Sequence, residues 1–132
     1  MPEQAKNLFT RAILKQIGDP DLREFVMRWD VLEFLVIRVF RAKAASREDE
    51  DEYRQLRIWL SKNYSRWQAA LTPYWEQARV AGEPAKQDPF LFLLSGSSSG
   101  WFAGNWAAMQ HLPAAREALN QFLIDRVSPE LS

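Results

Sequence analysis

The segment 20–45 constrains the fold most, because as a helix it is apolar around most of its circumference. Asp19 supplies an oxygen that can cap this helix, and Pro20 suits the first helical position, where its missing N–H costs no hydrogen bond. The main apolar face comprises Phe25, Trp29, Leu32, Val36 and Val39 or Phe40, and Val31, Phe34, Leu35 and Ile37 lie on other sides. A helix that is apolar on nearly every side is buried on nearly every side. We therefore expect this helix at the centre of a bundle.

Proline, glycine and capping residues divide the first two-thirds of the chain into further predicted helices. Apolar residues at helical spacing predict a helix over residues 3–17, and Gly18 occupies the position of a left-handed C-terminal residue. Ser46 is the predicted N-cap of the helix that follows the central one, and Thr72-Pro73 either kinks that helix or restarts it. Its apolar seam, spaced by three or four residues, comprises Tyr53, Leu56, Leu60, Tyr64, Trp67 and Leu71.

The C-terminal third contains a loop between further helical segments. Asp88-Pro89 predicts another helix start, and the Ser/Gly segment 95–100 is typical of a flexible loop. A short helix is predicted over 101–111, which places His111 at a helix C-terminus, and Pro113 opens the last helix. Since no segment alternates convincingly as a strand, we predict an all-α fold: a compact bundle of five or six helices with a long central apolar helix, in a single domain over residues 1–132.

The cysteine and histidine counts exclude several kinds of site. The chain has no Cys and one His, which rules out a disulfide framework, a Cys-based zinc site, a Cys nucleophile and a His-pair metal site. Ser98, His111 and Asp125 have the side chains of a hydrolytic triad, but a nucleophile elbow needs a strand-to-helix turn that an all-α chain lacks. We therefore expect no enzymatic activity, no cofactor and no metal ion.

The aromatic residues are the main functional signal. Six Trp, eight Phe and three Tyr are too many large rings to hide easily in a core of this size, and Trp, Tyr and Arg dominate protein interfaces. The interface candidates, which lie off the apolar seam or beside the Ser/Gly loop, are Trp59, Trp101, Phe102 and Trp106. We expect a non-enzymatic helical protein-interaction module, an adaptor, assembly factor or complex subunit, that self-associates. The alternative explanation is that the large rings simply fill the core.

Two sets of charged residues suggest rival functions. Asp30 and Glu33 lie one turn apart in the central helix, where buried carboxylates need a cationic partner, so we expect an ion pair with an Arg of another helix. A small-molecule binder with an aromatic pocket would instead use Asp30 with Trp101 and Trp106. A nucleic-acid-associated subunit would use a basic face comprising Arg54, Arg57, Lys62 and Arg66.

The charge pattern and hydropathy bear on partners and location. The 17 basic and 17 acidic residues cancel, and the acidic run 48–52 lies between the basic groups, so the sequence disfavours a nucleic-acid partner. No apolar run is long enough to span a membrane, and the N-terminus lacks the hydrophobic core of a signal peptide. We expect a protein partner or a homo-oligomer, a cytoplasmic location and no membrane association.

Overall fold

The computed structural model describes residues 15–94 and 106–131, with side chains described for 15–94 and 109–126. Within these residues the chain is mostly helical, with five packed helices and one small hairpin, so the all-α prediction is confirmed. The helices are α1 (Pro20–Ala42), α2 (Arg47–Tyr64), α3 (Gln68–Trp75), α4 (Pro89–Leu94) and α5 (Trp106–Leu131), and the hairpin pairs β1 (Arg79–Val80) with β2 (Glu83–Pro84).

The helix predicted over residues 3–17 lies almost wholly outside the described residues. Its described part, from Lys15 to Ile17, is not helical. Gly18 does not take the left-handed conformation that the sequence suggested. The prediction for Gly18 is therefore wrong.

Helix α1 begins as the sequence predicts and ends slightly earlier. The side chain of Asp19 accepts hydrogen bonds from the backbone N–H groups of Asp21 and Leu22, and Pro20 opens the helix. The helix stops at Ala42 because Lys43 adopts a left-handed conformation, with a φ of 56°, which no α-helix can continue.

The burial of α1 is one-sided, which contradicts the expectation that it is buried on nearly every side. Helices α2 and α5 both pack on it, but they leave one face to solvent. On that face Met27 is 49%, Val31 44% and Phe34 67% exposed. The buried face comprises Leu22, Phe25, Val26, Trp29, Leu32, Leu35, Val36 and Val39.

The seam of α2 packs as expected, but the break that follows it lies elsewhere than predicted. Ser46 and Asp49 form a capping box, in which each side chain accepts a hydrogen bond from the other residue's backbone N–H. Helix α2 ends at Tyr64, and α3 then runs through Pro73 without interruption. The chain turns where the ring of Trp67 enters the core, so packing rather than proline sets the boundary.

Helix α5 is continuous across Pro113, so the expected pair of helices is one helix. Pro113 is exposed while its neighbours Leu112 and Ala114 are buried, and this packing holds the helix together despite the lost hydrogen bond. His111 consequently lies inside α5 and not at a helix C-terminus. Its ring is buried and stacks on Phe92, with 3.9 Å between ring centroids.

A short hairpin, which the sequence analysis does not predict, joins α3 to α4. Its two-residue turn, Ala81-Gly82, has φ values of 55° and 86°, the two positive φ angles that a type I′ turn requires. The core around α1 is aromatic: the ring of Trp29 lies 5.0 Å from that of Phe90, which stacks at 5.4 Å on Tyr64. Of the helices in the described part of the chain, none combines the length and the apolar character needed to cross a membrane.

Candidate interaction surface

A row of apolar side chains runs along the exposed face of α1. Met27, Val31 and Phe34 follow one another at spacings of four and three residues, which places them on one line along a helix. Phe34, at 67% exposed, is the most exposed large apolar side chain among the described residues. We call these three residues the α1 stripe. Aligned exposed apolar side chains mark binding surfaces far more often than scattered ones do.

Arginines bound the α1 stripe at both of its ends. Arg23 precedes Met27 by one turn, and Arg38 and Arg41 follow Phe34 on the same face of the helix. All three arginines are exposed. The guanidinium of Arg38 also reaches Asp49 on α2, with 2.5 Å between Nη2 and Oδ1. Asp49 offsets the charge of Arg38, whereas Nη2 of Arg23 donates to the carbonyl oxygen of Ile17, a neutral group. The face therefore has an apolar centre with Arg23 as the cation at one end and Arg41 as the cation at the other.

One edge of the stripe is lined by an ion pair and an indole. Glu24 and Arg28 pair at 3.0 Å, and both side chains remain partly exposed. The guanidinium of Arg28 lies over the ring of Trp59, 4.4 Å from its centroid, an arrangement that cation–π attraction stabilises. This edge carries no net charge, since the acid and the base offset each other.

The other edge holds the carboxylates of Asp30 and Glu33, which the structure brings to Arg116 of α5. Arg116 donates to both of them, with 3.0 Å from its Nε to Oε2 of Glu33. Burial is the largest single influence and lowers the pKa of Arg116, but the charges of Glu33 and Asp30 and the hydrogen bonds to both acids together raise it by more, so the pKa lies above its ordinary value. The guanidinium is therefore a permanent cation held between two acids.

The interface candidates from the sequence are only partly placed. Trp59 is half-buried against the core and covered by Arg28, so little of its ring is available to a partner. Trp101 and Phe102 lie outside the described residues. Trp106 is the first residue of α5, and its side chain also lies outside the described set.

The basic residues proposed for a polyanion are directed at different groups. Arg54 pairs with Asp51, and Arg66 pairs with Asp21 at the start of α1. Arg57 points to the carbonyl of Leu94 and stacks near Tyr53, whereas Lys62 is exposed. Ion pairs with Asp51 and Asp21 offset much of the positive field that a polyanion would need.

Tyrosine hydroxyls fasten the short helix α4 to α2. The hydroxyl of Tyr64 donates to Oδ2 of Asp88 over 2.6 Å, and that of Tyr53 donates to the carbonyl of Leu93 over 3.0 Å. Asp88 also caps α4 by accepting from the N–H of Phe90. Burial, followed by the hydrogen bond to Asp88, raises the pKa of Tyr64 well above the ordinary 10.0. These contacts are structural, since each hydroxyl is buried in a helix–helix contact.

Comparisons add no relative from which a site could be transferred. The chain matches no protein-family model, no curated protein and no solved structure. Among the described residues, no group of three or more His, Cys, Asp or Glu side chains is placed to hold a metal ion. The surface must therefore be interpreted from its own geometry.

The α1 stripe is not among the surfaces predicted from the sequence, although the sequence contains a signal for it. The apolar character of Val31 and Phe34 predicts that both are buried. Arg23 and Arg38 lie in the same helical register as Met27 and Phe34. Because unpaired arginine rarely enters a core, that register indicates a solvent-facing side rather than a buried one.

Proposed function

We propose that this chain is a non-enzymatic protein-interaction module, an adaptor, assembly factor or complex subunit, that docks its partner on the α1 stripe. The observation that carries the proposal is the exposure of Phe34 in line with Met27 and Val31. Helix α1 already buries eight side chains against the rest of the chain. The fold therefore does not need the apolar side chains of the stripe for its core, and contact with a partner explains why they are apolar.

The polar clusters at this surface support a binding role over a catalytic one. Arg116 is occupied by two carboxylates, and Arg28 by Glu24 and the ring of Trp59. The rival functions gain less support from the geometry. Asp30, the residue suggested for a small-molecule pocket, already accepts from Arg116, and the basic residues of α2 are directed at separate groups. A cytoplasmic location is part of the proposal, because a chain without cysteine has no feature that an oxidising compartment would use.

A matched pair of variants tests the proposal. Phe34→Asp puts a carboxylate in the stripe, and Ile58→Asp puts one at another exposed apolar position, on α2, where Ile58 is 54% exposed. Proteins captured by the tagged wild-type chain would be identified, purified and titrated against each variant by calorimetry. We expect Phe34→Asp to weaken binding by at least about tenfold, the effect of roughly 1.4 kcal/mol, and Ile58→Asp to leave it unchanged.

Folding must be equal for this comparison to have meaning. Both positions are exposed, so we expect both variants to unfold within about 0.5 kcal/mol of the wild type. Circular dichroism during urea unfolding measures this directly. If purified partners bind Phe34→Asp as tightly as they bind the wild type, the α1 stripe is not the docking surface and the proposal is wrong.

A further inference from the structure

We propose that the partner of the α1 stripe is an acidic amphipathic helix, with apolar side chains at i, i+4 and i+7 and carboxylates at both ends of that row. The inference rests on the proposed function, because it names the chemistry of the partner at the same surface. It follows from the order of charges along the exposed face of α1, which begins with Arg23 and ends with Arg38 and Arg41.

The dimensions of the face suit a single helix. Arg23 and Arg38 are separated by about 22 Å along the helix axis at the usual rise of 1.5 Å per residue. The apolar centre between them is one side chain wide, since its members follow one line along α1. A ridge one side chain wide on α1 fits the groove between two rows of side chains on a single partner helix. Carboxylates at each end of a partner helix would then meet the arginines.

A second copy of this chain fits the same face poorly. If two α1 helices paired antiparallel about Val31, Arg38 of one copy would lie at the level of Glu24 in the other, and Arg41 at the level of Asp21. Those two acids already pair with Arg28 and Arg66 of their own copy. If they paired parallel, each arginine would lie opposite its own counterpart. The parallel arrangement brings like charges together, and the antiparallel one offers the arginines only acids that are already paired, so neither supplies the charge complementarity of an acidic helix.

An anionic lipid surface also fits less well than an acidic helix. One edge of the stripe carries Asp30 and Glu33, both partly exposed, whose two negative charges exceed the single positive charge of Arg116. A membrane would contact the edges as well as the ends, so these acids would face negative lipid headgroups. A single helix contacts the centre and the ends of the face while leaving its edges in water.

Two synthetic peptides test the inference on the full-length chain. Both are helical 20-residue sequences of about the same length as the face, with Leu at i, i+4 and i+7; one has Glu at both ends of the row and the other Lys. Each is titrated into the isotopically labelled chain and followed by amide chemical shifts. We expect the Glu peptide to perturb amides of α1 and to bind on the order of tenfold tighter at low salt, with the advantage shrinking as salt is added.

Charge-removing variants show whether the arginines cause that preference. Arg23→Gln combined with Arg41→Gln should reduce the preference for the Glu peptide to less than about threefold. Arg54→Gln, which removes an exposed arginine of α2, should leave it unchanged. Equal binding of the two peptides by the wild-type chain, or no binding of either, would overturn the inference.

Three further results distinguish a wrong assignment of the partner as an acidic helix from a wrong proposed function. If neither peptide binds while Phe34→Asp still abolishes binding of a purified partner, the acidic helix is wrong and the interaction module stands. Sedimentation velocity showing self-association that Phe34→Asp removes would assign the stripe to a second copy. Binding to phosphatidylserine vesicles that Phe34→Asp removes would assign it to a membrane, and either result would overturn the acidic helix.

Discussion

Arg116 on α5 donates from its Nε to Oε2 of Glu33 on α1 over 3.0 Å, although 83 positions separate them in the sequence. The same guanidinium donates to Asp30, one turn earlier on α1. The side chain of Arg116 is only 6% exposed, whereas those of Glu33 and Asp30 are 19% and 28% exposed. A buried cation is thus held by two acids at the rim of the core, and it fixes α5 against α1.

Removing the cation should destabilise the fold strongly. In Arg116→Met the carboxylates of Asp30 and Glu33 lose the guanidinium that offsets their charges, so we expect a loss of about 3–5 kcal/mol in the free energy of unfolding, measured by urea denaturation. Glu117→Met, at an exposed position of α5, is the control and should change it by no more than about 0.5 kcal/mol.

A second variant of the same cluster shows whether Arg116→Met loses stability through unbalanced charge or through altered packing. Adding Asp30→Asn and Glu33→Gln to Arg116→Met removes the two negative charges that Arg116 offsets in the wild type and should restore part of the lost stability. If Arg116→Met is as stable as the wild type, or if neutralising the acids makes it worse, the ion pairs do not hold α5 in place.

Alkaline pH should destabilise the chain through its tyrosines. Burial, followed by the hydrogen bond to Asp88, raises the pKa of Tyr64 above 10.0, and burial does the same for Tyr53. For Tyr74 the hydrogen bond to Asp125 is the main cause of a raised pKa. Because the unfolded chain ionises its phenols from about pH 10 while the folded chain does not, the free energy of unfolding should stay level below pH 10 and fall above it.

Phenolate absorbance and circular dichroism, recorded together during a base titration, check this expectation. The chain has three Tyr, and all three have raised pKa values, so phenolate should form only above pH 10 and largely together with the loss of helix. Tyr64→Phe should make the alkaline fall in stability shallower. A phenol that titrates near pH 10 in a fully helical chain, together with an unchanged profile for Tyr64→Phe, would contradict the assignment.

Local signals predicted the starts of α1 and α2 because caps act within a few residues. Asp19 with Pro20, and Ser46 as an N-cap, lie where the sequence places them. Boundaries set by packing were not predictable in this way. Pro113 lies inside α5, where its buried neighbours Leu112 and Ala114 outweigh the hydrogen bond that the proline removes, and Pro73 lies inside α3, which packs against α5.

In the candidate site, too, the sequence predicts what depends on local residues and not what depends on tertiary packing. That Asp30 and Glu33 need an arginine follows from their place in an apolar helix, but the identity of Arg116 depends on how α5 packs. Periodicity likewise gives the apolar residues of α1 without saying how many neighbours cover the helix. Among the described residues, helices α2 and α5 pack on one side of α1, and Phe34 on the other side is exposed.

Protonation of Asp49 at acidic pH should remove the stability that its carboxylate gives to the start of α2. The hydrogen bond from Arg38, followed by the one from the N–H of Ser46, lowers the pKa of Asp49 below the ordinary 3.8. A carboxyl with a lowered pKa stabilises the fold above its unfolded pKa and loses that effect as the pH falls through its folded pKa. Thermal melting below about pH 4 should therefore show a shallower acid dependence for Asp49→Asn than for the wild type. Identical acid dependence in both chains would count against the contact.

Substitutions at Trp59 and Phe34 should have different effects, the first on the free energy of unfolding and the second on binding. Trp59 packs on the core beneath Arg28, with 4.4 Å between the guanidinium carbon and the ring centroid, so Trp59→Ala removes buried area and a cation–π contact. We expect it to lower the free energy of unfolding by about 1–3 kcal/mol in urea denaturation.

Phe34→Ala should weaken binding without lowering stability, because the ring of Phe34 is 67% exposed. Its free energy of unfolding should stay within about 0.5 kcal/mol of the wild type, while its affinity for the Glu-ended peptide should fall by about tenfold. If Phe34→Ala destabilises the chain as much as Trp59→Ala does, the stripe belongs to the core. If instead Trp59→Ala keeps full stability and loses binding, the docking surface lies on the Trp59 edge of α1.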